Sequence, residues 1–151
     1  PVTKPLIYVD EKYNKGVVGV KEVDEEAITK YCSLAVEHLE NNRYNCTDMI
    51  EKPKKEEIMS LFSILGRVIL PPEIFGILEN TPKGACNELQ LTDAMRTLAQ
   101  QQGVIAVDYD GTRYDMGNKF GILQANIEVG LRHPELSEKL KDYIKELSKT
   151  L

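Results

Sequence analysis

Residues 60–78 read SLFSILGRVILPPEIFGIL, and this stretch decides the fold class. Its first part, Ser60–Leu70, is the longest apolar run and predicts a central, buried β-strand. Pro71 and Pro72 then predict the start of a helix through Leu78, because proline is tolerated where the first turn leaves an amide without an acceptor. A buried strand that passes directly into a helix is typical of α/β proteins.

The sequence before this stretch also alternates helices and strands. Apolar residues at helical spacing indicate helices, and runs of β-branched residues indicate strands. They predict a helix over Thr3–Tyr13, a strand over Val17–Val23, a short helix to Lys30 with an acidic first turn, a strand over Tyr31–Val36, a turn over Asn41–Asn45, and a strand over Cys46–Ile50 that stops by Pro53. Strands therefore follow one another with short helices or turns between them.

The sequence after this stretch predicts further helices and one hairpin. Thr92 or an adjacent residue is expected to cap a helix that buries Ala94, Met95 and Leu98 and ends at Gly103. The remaining predictions are a hairpin of Val104–Tyr109 with Arg113–Met116, followed by C-terminal helices over Lys119–Leu131 and Glu135–Leu147. The fold class predicted is α/β, with a mixed sheet flanked by helices.

Composition excludes several functional classes. The chain has 151 residues, 42% of them hydrophobic, and one domain is expected. A net charge of −5 without a basic cluster argues against nucleic acid as a partner. No apolar run reaches the roughly 20 residues that cross a bilayer, so no membrane association and a cytoplasmic location are expected. The three cysteines form no CxxC pair, which argues against a disulfide framework or a zinc site.

Two adjacent charged residues, Glu51 and Lys52, end a predicted strand, where α/β sheets place ligands. A carboxylate can accept hydrogen bonds from sugar hydroxyls, and the neighbouring ammonium can bind a phosphate, which is the pair that a sugar phosphate requires. A solvated charge run is the alternative, since the charged residues 54–57 follow at once. The residues alone leave both interpretations open.

Asp115 and Glu88 are weaker candidates. Asp115 lies between Tyr114 and Gly117, just before a helix, and its carboxylate is the type of ligand that Mg²⁺ prefers. A helix N-cap near Asn118 explains the same residue without a metal. Glu88 also precedes a helix, where capping and compensation of the helix dipole are the ordinary explanation.

Taken in order, these runs resemble the bacterial UTP–glucose-1-phosphate uridylyltransferases, also called UDP-glucose pyrophosphorylases. The resemblance covers nearly the whole chain. It rests on VVGVKEV (17–23), IEKP (50–53), LGR (65–67) with PEIF (72–75), ELQLTD (88–93), YDMGNKFG (114–121) and RHPEL (132–136). One such motif is a weak signal, whereas a series in the family's order is specific.

The resemblance implies a nucleotidyltransferase that forms UDP-glucose and pyrophosphate from UTP and glucose 1-phosphate, with a Rossmann-like nucleotide-diphospho-sugar transferase fold. By the matched motifs, Glu51 is expected to hold glucose hydroxyls, and Lys52 to bind the sugar phosphate and act in catalysis. Glu88 and Gln90 are expected to border the sugar pocket, and Asp115 to bind Mg²⁺. Assembly into homo-oligomers is implied as well.

Other features of the family have no counterpart in this sequence. The glycine-rich loop that holds the UTP phosphates and the paired aspartates that supply another metal ligand are absent, so residues 1–151 are expected to be the C-terminal, sugar-phosphate-binding half and inactive alone. Cys32 replaces a usual glycine, and Leu61 replaces a usual asparagine. These departures keep an alternative open, in which the chain is a non-catalytic sugar-phosphate-binding or oligomerisation module.

Overall fold

The computed structural model describes residues 3–84 and 87–150, which divide into two compact units, Pro1–Asp110 and Gly111–Leu151. The first unit contains α1 (Thr3–Tyr13), β1 (Val17–Glu22), α2 (Glu25–Ile28), β2 (Cys32–Glu40), β3 (Arg43–Glu51), a 3₁₀ turn (Lys55–Glu57), β4 (Phe62–Ile69), α3 (Glu73–Asn80), α4 (Leu91–Gln102) and β5 (Val104–Asp108). The second contains α5 (Lys119–Arg132) and α6 (Ser137–Ser148).

The five strands form one mixed sheet in the order β2-β3-β5-β1-β4. Only β1 and β5 pair in parallel, while β4 runs antiparallel to β1, β3 to β5, and β2 to β3. The mixed α/β class predicted from the sequence is therefore confirmed.

Helices cover both faces of the sheet, and alternation along the strands separates the two cores. In β1, Val18 and Val20 join the core beneath α3 and α4, whereas Val17 joins the core beneath α1. In β5, Val104 and Ala106 face the first core, while Ile105 and Val107 face the second. Because both faces are buried, these two strands carry apolar residues at successive positions instead of an alternating pattern.

The run Ser60–Leu70 forms β4, but its predicted central position is wrong within the described sheet. The strand lies at an edge, paired only with β1, and only Ser63 in it is buried. Its apolar character has another cause, because Phe62, Ile64 and Val68 pack at the margin of one core and Ile69 at the margin of the other. An edge strand that lines two cores has the composition of a central one.

The predicted hairpin after β5 is also wrong. Residues 109–118 contain no strand, and α5 follows them. Strand β5 already pairs with β1 on one side and with β3 on the other, so neither of its edges can receive a hairpin partner. The antiparallel members of the sheet are instead β2, β3 and β4.

The turn between β2 and β3 is shorter than the predicted turn over Asn41–Asn45, since β3 begins at Arg43 and not at Cys46.

Helix ends follow the predicted chemistry in most places. Asp24 caps α2 by accepting a hydrogen bond from the amide of Ala27 at 2.7 Å, and Gly103 ends α4 with φ +75°. The prediction for the start of α4 is not met, because its N-cap residue is Gln90 and no side chain caps it. In the second unit, Asn118 caps α5 through the amide of Gly121 at 2.7 Å. No described helix is long and apolar enough to cross a membrane.

Candidate functional site

The open end of the β2–β3 hairpin positions Glu51 and Lys52. Glu51 is the last residue of β3 and lies opposite Cys32, the first residue of β2. The amide of Lys52 donates a hydrogen bond to the carbonyl of Tyr31 at 2.7 Å, which closes the end of the hairpin. Lys52 has φ +48°, a left-handed conformation that costs a non-glycine residue about 1 kcal/mol or more. The chain therefore changes direction sharply at Lys52.

A pocket of about 290 Å³ lies at this end of the hairpin. Its lining combines apolar side chains with a single carboxylate and hydroxyl groups: Tyr31, Cys32, Glu51, Ile64, Gly66, Val68, Leu91, Thr92 and Met95. Apolar walls with a few polar groups are typical of small-molecule sites. Gly66 has φ +70°, a conformation that favours glycine, on the part of β4 that faces the pocket.

Thr92 contacts the carboxylate of Glu51 directly. Its hydroxyl Oγ1 donates a hydrogen bond to Glu51 Oε2 at 3.3 Å. The sequence indicates Thr92 only as a candidate helix cap and does not predict this contact. The polar residues Thr92, Arg96 and Gln100 are spaced four apart, so they form one stripe along α4, and that spacing was the available signal.

Asp48 connects the same stripe to β3. Arg96 donates to both carboxylate oxygens of Asp48, from Nε at 2.7 Å and from Nη2 at 3.1 Å, and Gln100 Nε2 adds a hydrogen bond at 3.1 Å. Burial opposes the charged form of Asp48, but the hydrogen bonds from Arg96 and from the amide of Met49 hold its pKa below the usual value. The forked arginine contact fixes orientation as well as distance.

The thiol of Cys32 lines the pocket beside Glu51. Burial raises the pKa of this thiol, and the charge of Glu51 raises it further. The side chain is 4% exposed, and its Sγ lies 3.8 Å from the carbonyl of Ser33. Cys32 is therefore a neutral group at neutral pH, and it occupies volume where a glycine would leave space.

Three other predicted residues lie outside the described lining of this pocket. Lys52 is exposed just beyond it. Glu88 is exposed, and its carbonyl accepts a hydrogen bond from the amide of Gly84 at 2.9 Å. The carbonyl of Gln90 accepts from the amide of Asp93 at 3.2 Å, at the start of α4. The structure thus brings Glu51 together with Cys32 and Thr92 in one pocket.

Asp115 lies in the second unit, in the turn before α5. Its Oδ1 accepts a hydrogen bond from the amide of Gly117 at 2.9 Å, and its Oδ2 accepts from Nδ2 of Asn118 at 3.0 Å. These contacts match the capping alternative, although the N-cap itself is Asn118. Carboxylate oxygens are the ligands that Mg²⁺ prefers in proteins, and these hydrogen bonds hold the Asp115 carboxylate in one orientation.

A larger cavity, of about 540 Å³, lies elsewhere on the first unit. It is lined by Glu25, Glu26, Thr29, Lys55, Ile58 and Leu61. None of the predicted site residues belongs to this lining. Size therefore does not select the candidate site, and the carboxylate–hydroxyl pair of the smaller pocket is the stronger indicator.

Comparison with solved structures defines the class of protein. The chain has the nucleotidyltransferase fold of UDP-glucose pyrophosphorylase. A crystal structure of that enzyme complexed with UDP-glucose matches with a TM-score of 0.82 and 38% identity, over 86% of this chain and 49% of the other. The expected fold is thus confirmed. No protein-family model matches the chain.

Comparison with curated proteins gives the particular relatives. The chain is 42% identical over 147 residues to the UTP–glucose-1-phosphate uridylyltransferase of Staphylococcus epidermidis, covering 97% of this chain and 51% of that protein. It is 41% identical over 152 residues to UTP–glucose-1-phosphate uridylyltransferase 1 of Streptococcus pyogenes serotype M1, covering 100% and 50%. The chain spans about half the length of these relatives, and the resemblance seen in its motifs is confirmed.

Proposed function

We propose that this chain supplies the sugar-phosphate side of a UTP–glucose-1-phosphate uridylyltransferase. In that reaction a phosphate oxygen of glucose 1-phosphate attacks the α-phosphorus of UTP. The bond from the α-phosphorus to the bridging oxygen breaks, and pyrophosphate leaves with that oxygen. The observation that carries the proposal is the pocket that places the Glu51 carboxylate among apolar walls, in a chain homologous to such enzymes.

Glu51 and Lys52 divide the recognition of the substrate. Glu51 accepts hydrogen bonds from glucose hydroxyls inside the pocket, and the exposed ammonium of Lys52 binds the phosphate just outside it. Lys52 has a left-handed backbone conformation, and it directly follows Glu51 at the end of β3. Lys52 then offsets negative charge as the phosphate oxygen attacks, which makes it the catalytic residue of this chain. Glu88 and Gln90 lie outside the described lining of the pocket, so their role beside the sugar is proposed from the matched motif alone.

Asp115 is the residue of this chain that would bind Mg²⁺. Magnesium in such sites is held by one or two carboxylates together with substrate phosphates, and it neutralises phosphate charge. The turn before α5 holds the carboxylate through the amide of Gly117 and the side chain of Asn118. A conservative test is Asp115→Asn, which should weaken magnesium-dependent turnover in a complete enzyme.

The cellular setting and assembly belong to the same proposal. The buried free thiols of Cys32 and Cys46 fit a reducing, cytoplasmic location. Homo-oligomer formation is favoured by the open edge of β4 and by exposed apolar residues of the second unit, among them Phe120 and Tyr143, which are 67% and 64% exposed.

Two measurements test the proposed function. Calorimetry should detect glucose 1-phosphate binding to the chain, weakened by Glu51→Gln and by Lys52→Ala, with Lys54→Ala as a matched control next to the site. The chain alone should form no UDP-glucose, because the phosphate-holding loop implied by the family is absent from its sequence. Failure to bind glucose 1-phosphate, or turnover that scales with the concentration of this chain alone, would contradict the proposal.

A further inference from the structure

We infer that Thr92 is a positioning residue for sugar recognition, acting through Glu51, and that the contact of Asp48 with Arg96 holds it in place. This inference rests on the proposed function. It concerns residues of α4 and β3 that the motif comparison assigned no role.

The contact between Thr92 and Glu51 determines which carboxylate oxygen remains for a substrate. Glu51 Oε2 accepts the hydrogen bond from Thr92 Oγ1 at 3.3 Å, and both side chains line the pocket. The other oxygen, Oε1, is then the atom oriented towards a sugar hydroxyl. A carboxylate held by one fixed donor binds a hydroxyl at a smaller entropic cost than one that rotates freely.

The helix that carries Thr92 is fixed to the strand that carries Glu51 by polar contacts. Arg96 and Gln100 follow Thr92 at intervals of four residues, and both donate to Asp48, three residues before Glu51. The forked contact from Arg96 to Asp48 restrains sliding and rotation of α4 along β3. The distance between Thr92 Oγ1 and Glu51 Oε2 therefore depends on the contact between Arg96 and Asp48, one helical turn further along α4.

The apolar contacts of α4 alone would fix its depth but not its register. Ala94, Met95, Leu98 and Ala99 are buried against the sheet, and their apolar side chains carry no strong hydrogen-bonding group. Hydrophobic packing is non-directional, whereas the hydrogen bonds of Arg96 and Gln100 have defined geometry. Thr92 is thus placed by directional contacts that the core does not supply.

The test measures selectivity among sugar phosphates and not affinity alone. Glucose 1-phosphate and its 2-, 3-, 4- and 6-deoxy analogues are titrated into wild type and Glu51→Gln to find the hydroxyl that Glu51 recognises. Thr92→Val should weaken glucose 1-phosphate binding about fivefold, the value of one net hydrogen bond. It should leave unchanged the affinity for the analogue that lacks the recognised hydroxyl, and Thr92→Ser should restore wild-type selectivity.

Two further variants complete the design. Thr97→Val is the matched control, because its hydroxyl donates to the carbonyl of Asp93 within the same helix; it should bind as wild type. Arg96→Lys should reproduce part of the Thr92→Val effect, because an ammonium cannot make the forked contact. Circular dichroism checks that each variant is folded, and Thr92→Ala replaces Thr92→Val if the latter does not fold.

The outcomes separate this inference from the proposed function. If the wild-type chain binds no sugar phosphate, the proposed function fails and this inference fails with it. If wild type binds and Thr92→Val keeps the same affinity and selectivity, only the inference is overturned. A uniform loss of affinity for every analogue also overturns it, because that result indicates a general structural defect.

Discussion

Two buried serines give opposite predictions for the same substitution. Ser33 in β2 and Ser63 in β4 are both 0% exposed. The hydroxyl of Ser33 donates to the carbonyl of Ser60 at 2.9 Å and accepts from the amides of Met59 and Ser60 at 3.0 and 3.2 Å. The hydroxyl of Ser63 has no hydrogen-bond partner among the described residues. The Ser33 hydroxyl therefore links the segment before β4 to β2, whereas the Ser63 hydroxyl forms no hydrogen bond with the described residues.

The magnitudes follow from these contacts. Three hydrogen bonds at about 1 kcal/mol each set an upper value, and water partly replaces them at the part-buried residues Met59 and Ser60, so Ser33→Ala should lower the free energy of unfolding by about 2 kcal/mol. Ser63→Ala removes a buried polar group that has no partner, so it should be neutral or stabilise by up to about 1 kcal/mol. Both changes delete the same atom from a strand, which makes them a matched pair.

Urea denaturation followed by circular dichroism measures both values. The slope of the unfolding free energy against urea concentration should be the same in wild type and both variants, which shows that the change lies in the native contacts. The reasoning is refuted if Ser33→Ala is as stable as wild type, or if Ser63→Ala loses more stability than Ser33→Ala.

Three further predictions concern charge, backbone strain and pocket size. The ammonium of Lys12, with the hydroxyl of Tyr13 and the guanidinium of Arg43, lowers the pKa of Glu40 to about 2 from 4.5, so its contribution to stability is complete above pH 4.5 and lost as the pH falls towards 2. Glu40→Gln should reduce the loss of unfolding free energy over that range in pH-dependent urea titrations, and an unchanged pH profile would contradict this. Lys52→Gly should be more stable than Lys52→Ala by about 0.5 kcal/mol in the free energy of unfolding, and its urea midpoint should be higher. Glycine relieves the strain at φ +48°, and this gain is partly offset because glycine increases the entropy of the unfolded chain. Equal midpoints would show that Lys52 is not strained. Cys32→Gly should raise the affinity for glucose 1-phosphate if the thiol narrows the pocket beside Glu51, and calorimetry with unchanged or weaker binding would show that the pocket already accommodates it.

Local patterns in the sequence predicted the elements whose environment is uniform along their length. Residues 17–20 of β1 and 104–107 of β5 are buried on both faces, and these continuous apolar runs identified the two strands. Gly103 ended α4 as expected, because glycine adopts its positive φ without strain. The break at His133 likewise separates α5 from α6.

The errors came from relations between distant segments. An apolar run does not distinguish a central strand from an edge strand that borders two cores, so β4 was misplaced in the sheet. The predicted hairpin at Arg113–Met116 required a free edge on β5, and only the pairing of β5 with β1 and β3 shows that there is none.

In the candidate site, too, residues that are adjacent in the sequence were predicted, whereas a contact between distant segments was not. Glu51 and Lys52 were found because they are adjacent in sequence at a strand end. Thr92 was missed because it follows Glu51 by 41 residues in the chain, and its contact depends on how α4 packs on β3.

We propose that glucose 1-phosphate binds at the open end of the β2–β3 hairpin. Nuclear magnetic resonance of the ¹⁵N-labelled chain, titrated with glucose 1-phosphate, tests it most directly because each amide reports its own surroundings. We expect saturable shifts centred on Tyr31, Glu51, Lys52 and Thr92, and we expect these shifts to disappear in Glu51→Gln. Shifts centred on the cavity beside Glu25 and Leu61, or no saturable shifts at all, would contradict it.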